Sequence, residues 1–121
     1  MDFKPTAPIW LQVANEIKSD IASGALRPGE KLQSSRDLAV RYAINPNTAA
    51  RVYQELEREG VCETRRGLGT FVTQDADHIT ALRIAMAQEA ITACLTAMRT
   101  LGFTKEEAIH MLMIEEEHSN A

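Results

Sequence analysis

Two short apolar stripes lie almost end to end in the first half of the chain, and the gap between them has room only for a tight turn. Leu38, Ala39 and Tyr42 mark the first stripe; Ala49, Val52, Tyr53 and Leu56 mark the second. Both recur at helical spacing. Ser34 is placed to cap the first helix, and Asp37 suits the positive end of its dipole. Asn45 is a good N-cap for the second, with Pro46 where a first-turn proline is tolerated because its missing N–H would have no partner anyway. The first helix is short, ending near Ala43, and Gly60 ends the second. A helix pair coupled this closely must bury both stripes against further elements.

The flanking sequence supplies them. Trp10, Val13, Ile17 and Ile21, with Ala14 beside them, make residues 9–23 an amphipathic helix that stops at Gly24, followed by an Arg27-Pro28-Gly29 turn. After Gly60, Val61–Thr64 and Thr70–Thr73 are β-prone and bracket Arg65-Arg66-Gly67-Leu68-Gly69, a hairpin with a glycine-rich tip. Residues 74–77 look like a junction. A long alanine-rich helix is expected over 78–101. Ile79, Leu82, Ile84, Met86, Ile91, Leu95, Met98 and Leu101 cover more than one narrow stripe, so it must be covered on two sides, by its own domain and by a partner chain. Gly102-Phe103 breaks it, and Thr104 with Glu107 forms a capping box for a last helix over about 105–117.

The expected architecture is mainly α with a small β-hairpin. A winged helix-turn-helix occupies residues 1–75, and an α-helical dimerisation tail occupies residues 76–121. Ile79, Leu82, Met86, Ile91, Leu95, Met98 and Leu112 are its candidate dimer contacts. Aromatic residues make up only 5% of the chain, so the core must be aliphatic, and a second copy would help a core this small.

The net charge of −4 argues against nucleic acid until its distribution is considered. Residues 1–75 hold ten basic and ten acidic side chains; residues 76–121 hold three basic and seven acidic ones. The excess negative charge belongs to the tail. In the N-terminal part, Arg36 lies in the first turn of the second helix, and Asn45, Asn47, Thr48 and Arg51 lie at the start of the third, about 46–59. That is the portion of a recognition helix that reaches base edges and nearby phosphates. Asn and Arg form bidentate bonds to adenine and guanine. Arg65 and Arg66 flank the tip of the wing (about 65–70), and Gly67 and Gly69 let its backbone approach a sugar-phosphate closely. Glu55, Glu57 and Glu59 fall in the later turns, where the helix rises out of a groove.

The stretch Pro8–Thr73 resembles the winged-helix domain of the GntR family of bacterial regulators. The resemblance rests on Pro8-Ile9-Trp10-Leu11-Gln12, Gly24 through Leu32, Ser35-Arg36-Asp37-Leu38-Ala39, Asn45-Pro46-Asn47-Thr48, Tyr53 through Glu57, and Gly67-Leu68-Gly69-Thr70-Phe71-Val72. The Asn-Pro-Asn-Thr entry and the short two-helix tail are similar to the YtrA subfamily. The resemblance implies a homodimeric repressor on a palindromic operator, holding DNA through Arg36, Asn47, Thr48, Arg51 and the wing around Arg66-Gly67. Many relatives carry an arginine early in the recognition helix, where this chain has Pro46 or Asn47. The tail is too short for a drug-sized pocket within one subunit. Any unidentified small-molecule effector would therefore sit at the dimer interface and alter the angle between the two winged domains.

Several residues have plainer readings. Asn45 is chiefly a cap. Trp10 and Tyr53 read as core. Arg51 can pair with Glu55 one turn on. His78, His110 and His118 fall outside metal-ligand spacing. Met111-Leu112-Met113 reads as helix packing. No catalytic constellation, P-loop or dinucleotide motif is present, so neither enzyme nor cofactor is expected. Cys62 and Cys94 make no CxxC pair. No stretch reads as a signal peptide or membrane span, and a cytoplasmic protein is the expectation. The rival from another class is a protein–protein adaptor, since winged helices also serve that role.

Overall fold

The computed structural model describes residues 1–119, with side chains as far as Glu116. The elements run α1 (Ile9–Ser23), α2 (Ser35–Tyr42), α3 (Pro46–Arg58), β1 (Cys62–Arg65), β2 (Gly69–Val72), α4 (Ala76–Thr100) and α5 (Lys105–Ser119). His118 lies outside the described side chains.

Local chemistry sets the helix ends. The Ser34 hydroxyl accepts from the Asp37 amide at 3.1 Å, and Asn45 Oδ1 accepts from the Asn47 amide at 2.8 Å. α4 starts earlier than its periodicity suggests, because Asp75 caps it: Asp75 Oδ1 accepts from the amides of Asp77 (3.1 Å) and His78 (3.2 Å). Most of the expected junction at 74–77 is therefore helix start. At the other end, Gly102 at φ 91° closes α4, and the Thr104–Glu107 capping box forms reciprocally at 3.0 and 3.1 Å.

The hairpin pairs Cys62 with Val72, Glu63 with Phe71, Thr64 with Thr70 and Arg65 with Gly69, leaving Arg66-Gly67-Leu68 at the tip. A third segment, which the sequence patterning left as loop, lies along the other side of β2. Lys31 bridges Phe71, Leu32 N–H donates to Thr70 O at 2.8 Å, and Val72 N–H donates to Glu30 O at 2.8 Å. β2 is thus hydrogen-bonded on both edges, which fixes the wing to the body.

The chain divides into two compact units, Met1–Ile84 and the residues from Ala85 onward. In the first, Val13 and Ile21 of α1, Leu38 of α2, Val52 and Leu56 of α3, and Val61 and Val72 of the wing are fully buried in one aliphatic core. Ile79 and Leu82, expected as dimer contacts, lie half-buried against that core. Among the described residues of the second unit, the rest of α4 and α5 bury only Ala108, while Ile91, Leu112 and Met113 are 60%, 57% and 62% exposed. Such apolar exposure marks a surface made to be covered.

Candidate nucleic-acid interface

The buried stripe of α3 (Ala49, Val52, Tyr53, Leu56) fixes how the helix is turned. Asn47 and Arg51, one turn apart, fall on the opposite side and are exposed; Thr48 beside them is half-buried. Tyr53 anchors this orientation. Its hydroxyl donates to the Gln33 carbonyl, and burial pushes its pKa up to about 12. The Asn45 side-chain oxygen is committed to the cap. Arg36 on α2 is exposed and, among the described residues, carries no ion pair.

The acidic residues of α3 and its C-cap are each engaged. Glu55 takes Arg58 (Nε to Oε2 3.0 Å), Glu57 accepts from the Thr64 hydroxyl at 3.2 Å, and Glu59 pairs with Lys18 at 3.1 Å. The pair between Arg51 and Glu55 that sequence spacing allows does not form, because Arg58 occupies the carboxylate. Arg51 instead lays its guanidinium over the Trp10 ring, 4.4 Å from the centroid. Beyond α3, His78 Nε2 lies 2.9 Å from the Glu59 carbonyl, so the first turn of α4 is tied to the end of α3.

On the wing, Arg65 is drawn along the sheet: it stacks on Phe71 at 4.5 Å and bonds Glu63 at 2.8 Å. Arg66 has no ion pair among the described residues and stands exposed at the tip. Gly67, at φ 78°, is in the left-handed region, and a Cβ there would meet nothing within 4 Å. Backbone conformation, not crowding, is what demands glycine at the tip. Gly69 differs, because a Cβ there would lie 2.9 Å from Lys31 Cε. Lys31 therefore drapes across the wing, an exposed cation that sequence patterning did not single out. The backbone bridge between Lys31 and Phe71 brings it there. Leu68, 61% exposed, completes the tip. Cys62, beneath the wing, is a buried thiol with its pKa raised to about 12 by desolvation, and is chemically quiet.

Of the expected dimer contacts outside the core, Met86, Leu95 and Met98 are half-buried, and Ile91 and Leu112 are exposed. Within the second unit, Ala90, Ile91, Cys94, Leu95, Lys105, Ile109 and Leu112 line an apolar groove of about 360 Å³.

Three helices and a hairpin wing, with Arg51 exposed on α3 and Arg66 exposed at the wing tip, define a winged helix-turn-helix of the DNA-binding class. Residues 10–72 match the model of the bacterial regulatory proteins of the gntR family, and the chain belongs to that family. It is similar to the uncharacterised HTH-type transcriptional regulator YhcF of Bacillus subtilis, at 40% identity over 88% of each chain. It is similar also to the HTH-type transcriptional repressor YtrA of B. subtilis, at 42% identity over 63% of this chain and 58% of that one. A solved GntR family transcriptional regulator from Listeria monocytogenes superimposes with a TM-score of 0.84 at 33% identity, covering 92% of this chain and 97% of the other. The chain is thus a DNA-binding transcriptional regulator and not an enzyme, and no described helix is long and apolar enough to cross a membrane.

Proposed function

We propose that the protein is a cytoplasmic homodimeric repressor that binds a palindromic operator. The recognition helix, about 46–59, enters the major groove, and the wing, about 65–70, lies along the neighbouring backbone. Asn47, Thr48 and Arg51 face the bases. Arg36, Arg66, the Gly67 backbone and Lys31 face phosphate or sugar, and Asn45 acts mainly as the cap. Arg65 has the weakest claim to a direct contact, since Glu63 and Phe71 already hold it. One observation carries this reading. The outward side of the first turns of α3 presents donors with no carboxylate partner among the described residues, while Glu55, Glu57 and Glu59 are all engaged.

Residues 1–75 carry DNA binding in this proposal and residues 76–121 dimerisation, with Ile79 and Leu82 also sealing the winged-helix core. Exposed Ile91 and Leu112 support a second copy as the cover for the tail. Two recognition helices would then meet successive major grooves roughly 34–36 Å apart. The similarity to a relative named as a repressor supports that sign of regulation. An unidentified small-molecule effector would bind at the dimer interface.

The test begins with selection of bound fragments from genomic DNA at physiological salt, which yields the operator. Arg51→Ala should then weaken specific binding by about 1–3 kcal/mol and relax the preference at one base pair. Unchanged affinity would remove Arg51 from the readout. Ile91→Glu should turn the dimer into a monomer in sedimentation without unfolding the winged domain; a persisting dimer refutes the tail interface.

A further inference from the structure

We infer that Trp10 is a positioning residue for DNA recognition: its indole face holds the Arg51 guanidinium in a set orientation while leaving every N–H donor open to a base edge. This rests on the proposed entry of α3 into the major groove and adds a residue from a different helix to the readout.

The geometry favours this over a purely structural role. Trp10 sits in the first turn of α1, half-buried against the core, and Arg51 is exposed on α3 with its guanidinium carbon 4.4 Å from the indole centroid. A guanidinium stacked by its face keeps its five in-plane N–H groups available. An ion pair would use up some of those donors. Arg51 has none among the described residues, because Glu55 is taken by Arg58. Arg65 on the wing shows the contrast. It is also stacked, on Phe71, but its Nη2 is already paired with the Glu63 carboxylate. Arg51 is therefore restrained yet unsatisfied, the condition under which binding loses least side-chain freedom.

The platform is itself anchored. The Gln12 side chain, in the same turn region of α1, accepts from the Lys4 amide at 2.9 Å and donates to the carbonyls of Lys4 (2.8 Å) and Ala7 (2.9 Å). Val13, Ala14 and Ile17 are buried where α1 meets the core shared with α3. The start of α1 thus cannot drift from α3 without breaking the packing of Val13, Ala14 and Ile17.

Trp10 is the only tryptophan in the chain, so growth on fluorinated tryptophan alters this residue alone. Ring fluorination drains the negative face at nearly constant shape and weakens a cation–π contact. The measurement is competition binding of the full-length protein to the selected operator. All four base pairs are placed in turn at the position whose preference Arg51→Ala relaxes, and the melting temperature is followed in parallel. Fluorination should cost roughly two- to fivefold in discrimination at that position only, with no matching loss in melting temperature. Trp10→Leu should relax the same position further, and Trp10→Tyr should restore most of it. The fluorinated protein keeps the test open if Trp10→Leu fails to fold. If Arg51→Ala relaxes the position and fluorination does not, Trp10 has no positioning role and the groove reading stands. Tighter binding by the fluorinated protein would mean that Trp10 withholds Arg51, and would overturn the proposal. Should Arg51→Ala leave every position unchanged, the assignment of Arg51 to a base falls first, and this proposal with it.

Discussion

Ala43→Gly should stabilise the protein, although it removes a side-chain methyl and places glycine in the turn between α2 and α3. Ala43 has φ 53° and ψ 48°, the left-handed region, and among the described residues it is the only non-glycine with positive φ. It occupies a closing motif used twice elsewhere. Ala43 N–H donates to Val40 O at 3.2 Å and Ile44 N–H to Ala39 O at 3.0 Å. Gly60 and Val61 donate in the same pattern to Glu57 and Leu56, at 3.0 and 3.1 Å. Gly102 and Phe103 repeat it with Arg99 and Met98, at 2.9 and 3.0 Å. An L-residue with a Cβ in this conformation costs about 1–2 kcal/mol, and glycine escapes that cost. Glycine also loosens the unfolded chain by about 0.4–1 kcal/mol. The Ala43 side chain is exposed, so no packing is lost. The balance is a gain of about 0.5–1 kcal/mol, or about 2–8 °C in melting temperature for a unit of this size. Thermal unfolding followed by circular dichroism, backed by urea titration, reads it directly. Ala43→Val is the counter-variant and should lower the melting temperature. A lower melting temperature for Ala43→Gly would show that the left-handed turn carries no releasable strain.

Three other outcomes follow from the same structure. Tyr53 and Cys62 both have folded pKa values raised to about 12, from 10.0 and 9.0, so the folded state holds their protons more tightly than the unfolded chain does. Their contribution is complete below about pH 9, declines as pH rises through the unfolded values, and is lost by about pH 12; denaturant midpoints measured between pH 8 and 12 should fall accordingly, and a flat profile would contradict the burial of both groups. Tyr53→Phe should cost about 0.5–1.5 kcal/mol through its lost bond to the Gln33 carbonyl, whereas Tyr42→Phe should stay within about 0.5 kcal/mol because the Tyr42 hydroxyl makes no hydrogen bond among the described residues. Lys31→Ala should weaken operator binding evenly across sequences and reduce the salt slope by about one counterion per subunit; an unchanged slope would place Lys31 away from phosphate.

What the sequence by itself determined is whatever a few neighbouring residues decide. Ser34, Asn45 and the Thr104–Glu107 box name their own helix starts, because a cap is a contact across two or three residues. Gly24, Gly60 and Gly102 name the stops, and the apolar spacing of α1, α2 and α3 states which side of each is buried. With the glycine-tipped hairpin, these local signals gave the winged helix-turn-helix and placed Asn47, Thr48 and Arg51 in the first turns of α3. Even Asp75 carried a readable cap signal, although the helix pattern after it is stronger and drew the expected start to residue 78.

Tertiary structure alone decided what each charged or aromatic side chain meets. Arg51 and Glu55 sit at ideal spacing for a helix pair, yet the nearer Arg58 takes the carboxylate and Trp10, 41 positions earlier, takes the guanidinium. Lys31 becomes part of the wing only because the segment before α2 hydrogen-bonds the free edge of β2. Ile79 and Leu82 are turned toward the winged-helix core, where an amphipathic pattern could only say that something covers them. The physical reason is the same in each case. Caps, turns and periodicity are set by backbone geometry over a single turn, whereas ion pairs, stacking and strand edges depend on which distant segments packing brings within a few ångströms.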